Sequence, residues 1–257
     1  MNVRATFGYA ILAMALHSML GSPTVAQSTP QGPVRTVLAL GRVQSMLDAL
    51  MHFKLSRVSI PAGATVTYLG DQSTIYLVSG TLTVAAGNDT RALQPAEGAF
   101  LPSGVEVKLQ AQANGAIEML QYQLLPAVNL DKQAMSAPAS VTELHRMRIP
   151  ASSLKPGPYE FSTIRVTLPA GGSRPRPHTR SGAALYYVLS PGTITIWPNT
   201  TVDSLTGDSR SEQRPVGSIQ EEPFGFIHSW TPGSDTALVL LQANVSQEGV
   251  PEIIFVK

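Results

Sequence analysis

Thr167–Gly171 reads TLPAG and Tyr186–Ile196 reads YYVLSPGTITI, and the same order of signals occurs once before. SIPAG at Ser59–Gly63 is followed there by IYLVSGTLTV at Ile75–Val84. Each unit is a β-branched run, a Pro-Ala-Gly turn, a second run, a turn containing Ser and Gly, and a third run. Pro61 and Pro169 mark the same place in both units, roughly 100 residues apart, where solenoid repeats recur every 20–50. The chain therefore reads as a duplicated domain built from strands.

Working outward, further strand signals flank both units: Leu55–Ile60, Thr74–Val78, Thr81–Val84, Val105–Leu109 and Met119–Leu125 in the first half. Phe161–Leu168, Ala184–Leu189, Thr193–Trp197 and Ala237–Ala243 follow in the second. The 21 Gly and 20 Pro of the 257 residues suit a loop-rich, all-β architecture. Val43–His52 reads as either a helix or an extended arm.

Charged residues make up only 14% of the chain, below the roughly 25% usual for soluble domains. The N-terminus explains part of this. Arg4 precedes a charge-free run from Phe7 to Leu20, then Gly21, Ser22 and Pro23, with Thr24 and Ala26 placed for a signal peptidase. The run is short for a membrane span, so we expect an export signal cleaved after Ala26 and a secreted or periplasmic product. The 18 Lys and Arg stand against 17 Asp and Glu, and loss of Arg4 with residues 1–26 brings the balance to zero. A neutral chain without a basic tract is not expected to bind nucleic acid or, once processed, a membrane. With no Cys, disulfides and thiolate chemistry are excluded. No P-loop, dinucleotide fingerprint or G-x-S-x-G elbow is present. Asn88, Asn199 and Asn244 begin N-x-[ST] sequons.

The second repeat resembles the cupin family at both signature motifs. The first, G-x5-H-x-H-x3-E, reads here Gly172, five residues, His178, one residue, Arg180, three residues, Ala184, then Gly192. The second, G-x5-P-x-G-x2-H-x3-N, reads Gly217, five residues, Pro223, Phe224, Gly225, two residues, His228, with Pro232 where Asn would fall. The first repeat keeps the scaffold without the chemistry: Thr67 and Leu69 align with the two His, Ser73 with the Glu and Val107 with the last His. The resemblance implies two tandem jelly-roll barrels, a bicupin. The expected organisation is a signal peptide over 1–26, an arm over 27–50, an N-terminal barrel over 51–126, a linker over 127–157 and a C-terminal barrel over 158–257.

In metal-loaded cupins three His and one Glu hold the ion. Only His178 and His228 remain at those positions; Arg180 has no lone pair to donate and Ala184 has no carboxylate. Two imidazoles beside a permanent cation make a poor divalent-metal site, since such ions need three or four protein donors. The expectation is no resident metal, with Fe, Mn, Zn, Ni or Cu on His178 and His228 as the alternative if Glu160, Glu221 or Glu222 supplies a third donor. The preferred role is a pocket for a small polar or anionic ligand, with Arg180 as anion partner, His178 and His228 as hydrogen-bonding groups, and Tyr187, Trp197 and Trp230 as aromatic walls. Arg174 and Arg176 read as solvated charges; His52 and His145 lie outside the motifs. A metal-dependent dioxygenase, isomerase or lyase and a homo-oligomeric structural scaffold are the competing functions.

Overall fold

The computed structural model describes residues 32–44, 49–151, 154–172, 174–205, 207–233 and 235–257. The expected signal segment lies outside them. The first half contains β1 (Val34–Val43), β2 (Met51–Ile60), β3 (Thr65–Tyr68), β4 (Ser73–Ser79), β5 (Leu82–Ala86), β6 (Asp89–Leu93), β7 (Gly98–Leu101), β8 (Val107–Ala111) and β9 (Ile117–Pro126). After a 3-10 turn at Ala127–Asn129 come β10 (Ser140–Arg148), β11 (Tyr159–Leu168), β12 (His178–Arg180), β13 (Ala183–Val188) and β14 (Gly192–Ile196). The chain ends with β15 (Arg210–Arg214), β16 (Ile219–Glu222), β17 (His228–Pro232), β18 (Leu238–Gln247) and β19 (Ile253–Phe255). Val43–His52, read as helix or arm, holds the end of β1 and the start of β2; residues 45–48 are outside the described set.

Each repeat folds two antiparallel sheets around its own core. The first uses β10-β2-β9-β4-β7 and β3-β8-β5-β6; the second uses β1-β11-β18-β13-β16 and β15-β14-β17-β12-β19. The outer strands are exchanged. The arm strand β1 pairs with β11 of the second barrel, from Val34 opposite Thr167 to Val43 opposite Tyr159. The linker strand β10 pairs with β2 of the first, from Ser140 opposite Ser59 to Arg148 opposite His52. Each covers an edge that would otherwise offer unpaired backbone groups.

Period-two alternation decides which face each side chain serves. On β11, Ile164, Val166 and Leu168 point into the second barrel with Ala184, Tyr186, Val188, Ile194, Trp230, Leu238 and Leu240. Tyr159 and Phe161 point the other way and meet Phe53, Leu55, Tyr122 and Leu124 of the first barrel. The long strands β2, β9, β11 and β18 are therefore apolar on both faces, one for their own barrel and one for the junction. Phe53 and Phe161 stack at 5.9 Å, and Tyr122 donates from its hydroxyl to Leu241 O at 3.2 Å. Burial of each such side chain contributes about 1.5–3 kcal/mol, so the junction ties the two barrels together.

Candidate functional site: the interior of the second barrel

β12 is only three residues long, yet all three are buried and two of them, His178 and Arg180, face inward. His178 sits opposite His228 of β17. The turn into β17 is type II: Phe226 N–H donates to Pro223 O at 3.1 Å, with Gly225 at φ 85° where a side chain would be strained. Gly225 N–H also donates to Thr179 Oγ1 at 2.9 Å, which ties this turn to β12. The motif glycine and proline thus set the approach of His228 to His178; their rings lie 4.5 Å apart.

Both imidazoles are oriented the same way. His178 Nδ1 lies 2.8 Å from Arg176 O and His228 Nδ1 lies 3.1 Å from Phe226 O, in each case the carbonyl two residues back. A carbonyl can only accept, so Nδ1 carries the proton in both rings. The chemical difference between them is Glu222.

Glu222, at the end of β16, is fully buried opposite Ala184. It therefore brings a carboxylate toward the place where the resemblance had Ala184 lacking one. Its Oε2 accepts from Arg180 Nε at 3.1 Å and its Oε1 from Trp230 Nε1 at 3.0 Å. His228 Nε2 lies 2.8 Å from the same Oε1. That contact is a close approach rather than a hydrogen bond, and His228 Nε2 has no hydrogen-bond partner among the described residues. Burial pushes the Glu222 carboxyl up, but the charges of His228 and Arg180 outweigh it and hold the group at about 2. His178 is driven to about 3 by burial first, then by the charges of His228 and Arg180, and is neutral. Burial lowers Arg180 against the pull of Glu222; a guanidinium nevertheless stays protonated.

Arg180 is 2% exposed, lies 5.3 Å from the centre of the Tyr186 ring, and has no hydrogen-bond partner for its Nη1 among the described residues. It borders a cavity of about 250 Å³ that His178, Tyr186, Trp230, Val166, Leu168 and Leu240 also line. The mouth is made by Pro33 and Arg35 of the arm and by Ile253 and Phe255 of β19. Arg35 is ion-paired with Glu252, joining arm to C-terminal strand.

Of the residues expected here, His178, Arg180, His228 and Trp230 are brought together. Tyr187 is not: it sits on the junction face of β13 and accepts from Arg57 Nη2 at 3.3 Å, while its neighbour Tyr186 faces the cavity. A one-residue error in strand phase exchanges faces. Trp197 lies outside the cavity wall, under the Arg174 guanidinium at 4.9 Å. Arg176 is held by Val256 O at 3.0 Å and does not share the inward face. The sequon at Asn244 falls on a fully buried side chain. Glu222 had been one of three candidate carboxylates; its inward phase follows from the strand IQEE, where Gln220 and Glu222 alternate with outward residues. Glu221 instead meets His145 at 2.7 Å on the surface.

The donors present do not fit a resident metal ion. Glu222 already serves Arg180, Trp230 and His228, a guanidinium stands among the would-be ligands, and no metal-binding group of three or more His, Asp or Glu occurs among the described residues.

The first barrel places a tyrosine where the second has His178. Tyr68 opposes Val107 as His178 opposes His228, so Tyr68 is the counterpart of His178. Thr67 and Leu69, aligned there from sequence, flank it on the outer face, and Leu69 is exposed. The Tyr68 hydroxyl donates to Asp71 O, and burial pushes it up to about 12. Gln121 donates to Ser73 Oγ at 3.0 Å, and Met135 packs into the same core.

No protein-family model and no curated protein matches the chain. Among solved structures it is similar to an oxalate decarboxylase of Lactobacillus farciminis in complex with formate: 13% identity over 79% of each chain, TM-score 0.52. A second oxalate decarboxylase, solved for its substrate binding mode and reaction specificity switch, matches at 13% identity over 88% of this chain and 75% of that one, TM-score 0.51. A variant of the Bacillus subtilis enzyme matches at 13% identity over 79% and 71%, TM-score 0.52. At such identities the likeness speaks for the fold. The chain is an all-β protein of two tandem cupin-type jelly-roll barrels.

Proposed function

We propose that this is an exported small-molecule-binding protein whose second barrel holds one ligand through Arg180, with the first barrel as its support. One observation carries the reading: Arg180, a buried guanidinium whose Nη1 has no hydrogen-bond partner among the described residues, lines a cavity with an apolar wall. Unsatisfied buried donors are costly, and a ligand acceptor relieves that cost. Trp230 and Tyr186 form walls, while neutral His178 offers a hydrogen-bonding group beside Arg180.

The reading is tested by screening small organic acids and neutral polar compounds for thermal stabilisation of the full mature chain. A hit must then be lost on Arg180→Gln and on filling the cavity by Leu240→Phe. Stabilisation that survives both variants would place the ligand elsewhere. Metal analysis of the tag-free protein is the companion measurement. Stoichiometric Fe, Mn, Zn, Ni or Cu lost in a His178→Ala/His228→Ala variant would replace this reading with a metalloenzyme.

A further inference from the structure

Resting on the reading that the second barrel binds a small molecule, we infer that its ligand is a compact apolar monoanion, an aromatic or branched aliphatic monocarboxylate. Size is the first constraint. An apolar protein cavity of about 150 Å³ accommodates benzene. The roughly 250 Å³ here therefore takes a ring or a branched chain with one small head group.

The walls are the second constraint. Val166, Leu168, Leu240, Ile253 and Phe255 offer no hydrogen bonds, and Trp230 Nε1 is already committed to Glu222. A sugar, with a hydroxyl on nearly every carbon, would leave most of them unpaired against these side chains. A dicarboxylate would set its second charge against hydrocarbon or against Glu222. A monocarboxylate can place its one head against the Arg180 guanidinium in the cavity wall and its hydrocarbon on the apolar side chains.

Charge is the third. Arg180 meets Glu222 through Nε, and its Nη1 has no hydrogen-bond partner among the described residues. Arg35 at the mouth is balanced by Glu252. A ligand carboxylate would give this guanidinium a second charged acceptor.

Titration calorimetry on the full mature chain, with quenching of tryptophan fluorescence as a second readout, tests the assignment. The probes are benzoate, phenylacetate, isovalerate, benzamide, oxalate and glucose. At least one monocarboxylate is expected to bind about tenfold or more tightly than benzamide, oxalate and glucose, about 1.4 kcal/mol or more. Leu240→Phe, checked for folding by circular dichroism, should abolish that binding, and Arg180→Gln should weaken it at least about tenfold. Benzamide binding as well as benzoate would overturn the anionic assignment. Oxalate or glucose binding more tightly than every monocarboxylate, with loss on Leu240→Phe, would overturn the ligand class while leaving the barrel as the binding site. If no monocarboxylate binds, the inference fails, and the broader reading stands or falls on the stabilisation screen alone.

Discussion

Replacing Glu222 by Ala removes one side chain but strips three others of a partner. Arg180 Nε loses a 3.1 Å acceptor, Trp230 Nε1 a 3.0 Å acceptor, and His228 Nε2 its 2.8 Å contact. Because Arg180 is 2% exposed, its charge would be left inside the barrel without compensation. Breaking a buried pair this way costs about 3–5 kcal/mol. For a chain of this size that corresponds to a fall of roughly 6–20 °C in melting temperature. Arg180→Met should cost less, because Glu222 keeps Trp230 and His228. The double variant Arg180→Met/Glu222→Ala should be more stable than Glu222→Ala alone, since the stranded charge is gone. Urea and thermal unfolding of the three proteins at pH 7.5, followed by circular dichroism, measures this order. If Glu222→Ala lies within about 1 kcal/mol of wild type, or the double variant is the least stable, the carboxylate does not organise the barrel.

The neutral state of His178 makes stability pH-dependent. Its folded value, about 3, lies below the ordinary 6.5, so the unfolded chain binds the proton first. Stability is complete above about pH 6.5 and falls as pH drops toward 3, by up to about 1.4 kcal/mol per unit. Glu222 adds its own loss only between its ordinary 4.5 and about 2. His178→Asn should therefore flatten the stability profile between about pH 6.5 and 4.5, read by urea unfolding; an unchanged slope there would refute a neutral buried ring. Phe161→Ala at the junction should cost about 3–5 kcal/mol, and equilibrium unfolding checks it. Tyr186→Phe removes a hydroxyl that donates to Gln242 Oε1 at 2.9 Å and should cost about 1 kcal/mol. Tyr187→Phe should leave ligand binding unchanged, and calorimetry with whichever monocarboxylate binds compares the two. Mass spectrometry of protein recovered from an export-competent host should find Gln27 at the mature N-terminus; retention of residues 1–26 would refute cleavage after Ala26.

Much of this was legible before any coordinates. The PAG and Ser-Gly turns and the runs between them carry local information, because turn chemistry and period-two alternation act over a few residues. His178, Arg180 and His228 were legible through the resemblance to the cupin motifs, and the Pro223–Phe226 turn leads into the strand that carries His228. Strand phase was harder to read. Tyr186 and Tyr187 are chemically near-identical and both buried, since β13 is covered on both faces, so no polar alternation marks the inward one. At β3 the alternation of TVTY does mark Tyr68 as inward, and it was the alignment to the second repeat's motif that put Thr67 and Leu69 there.

The sequence by itself determined the all-β class and the two-unit pattern of turns and runs, because each depends on residue type at short range. Tertiary structure alone decided that β1 covers the second barrel and β10 the first, since strand exchange depends on which edges are left open in space. It also decided that the carboxylate missing at Ala184 comes from Glu222 on the neighbouring strand. A cross-strand pair has no fixed separation along the chain. Only the folded sheet sets Glu222 opposite Ala184, and only there does the charge of Arg180 find its partner.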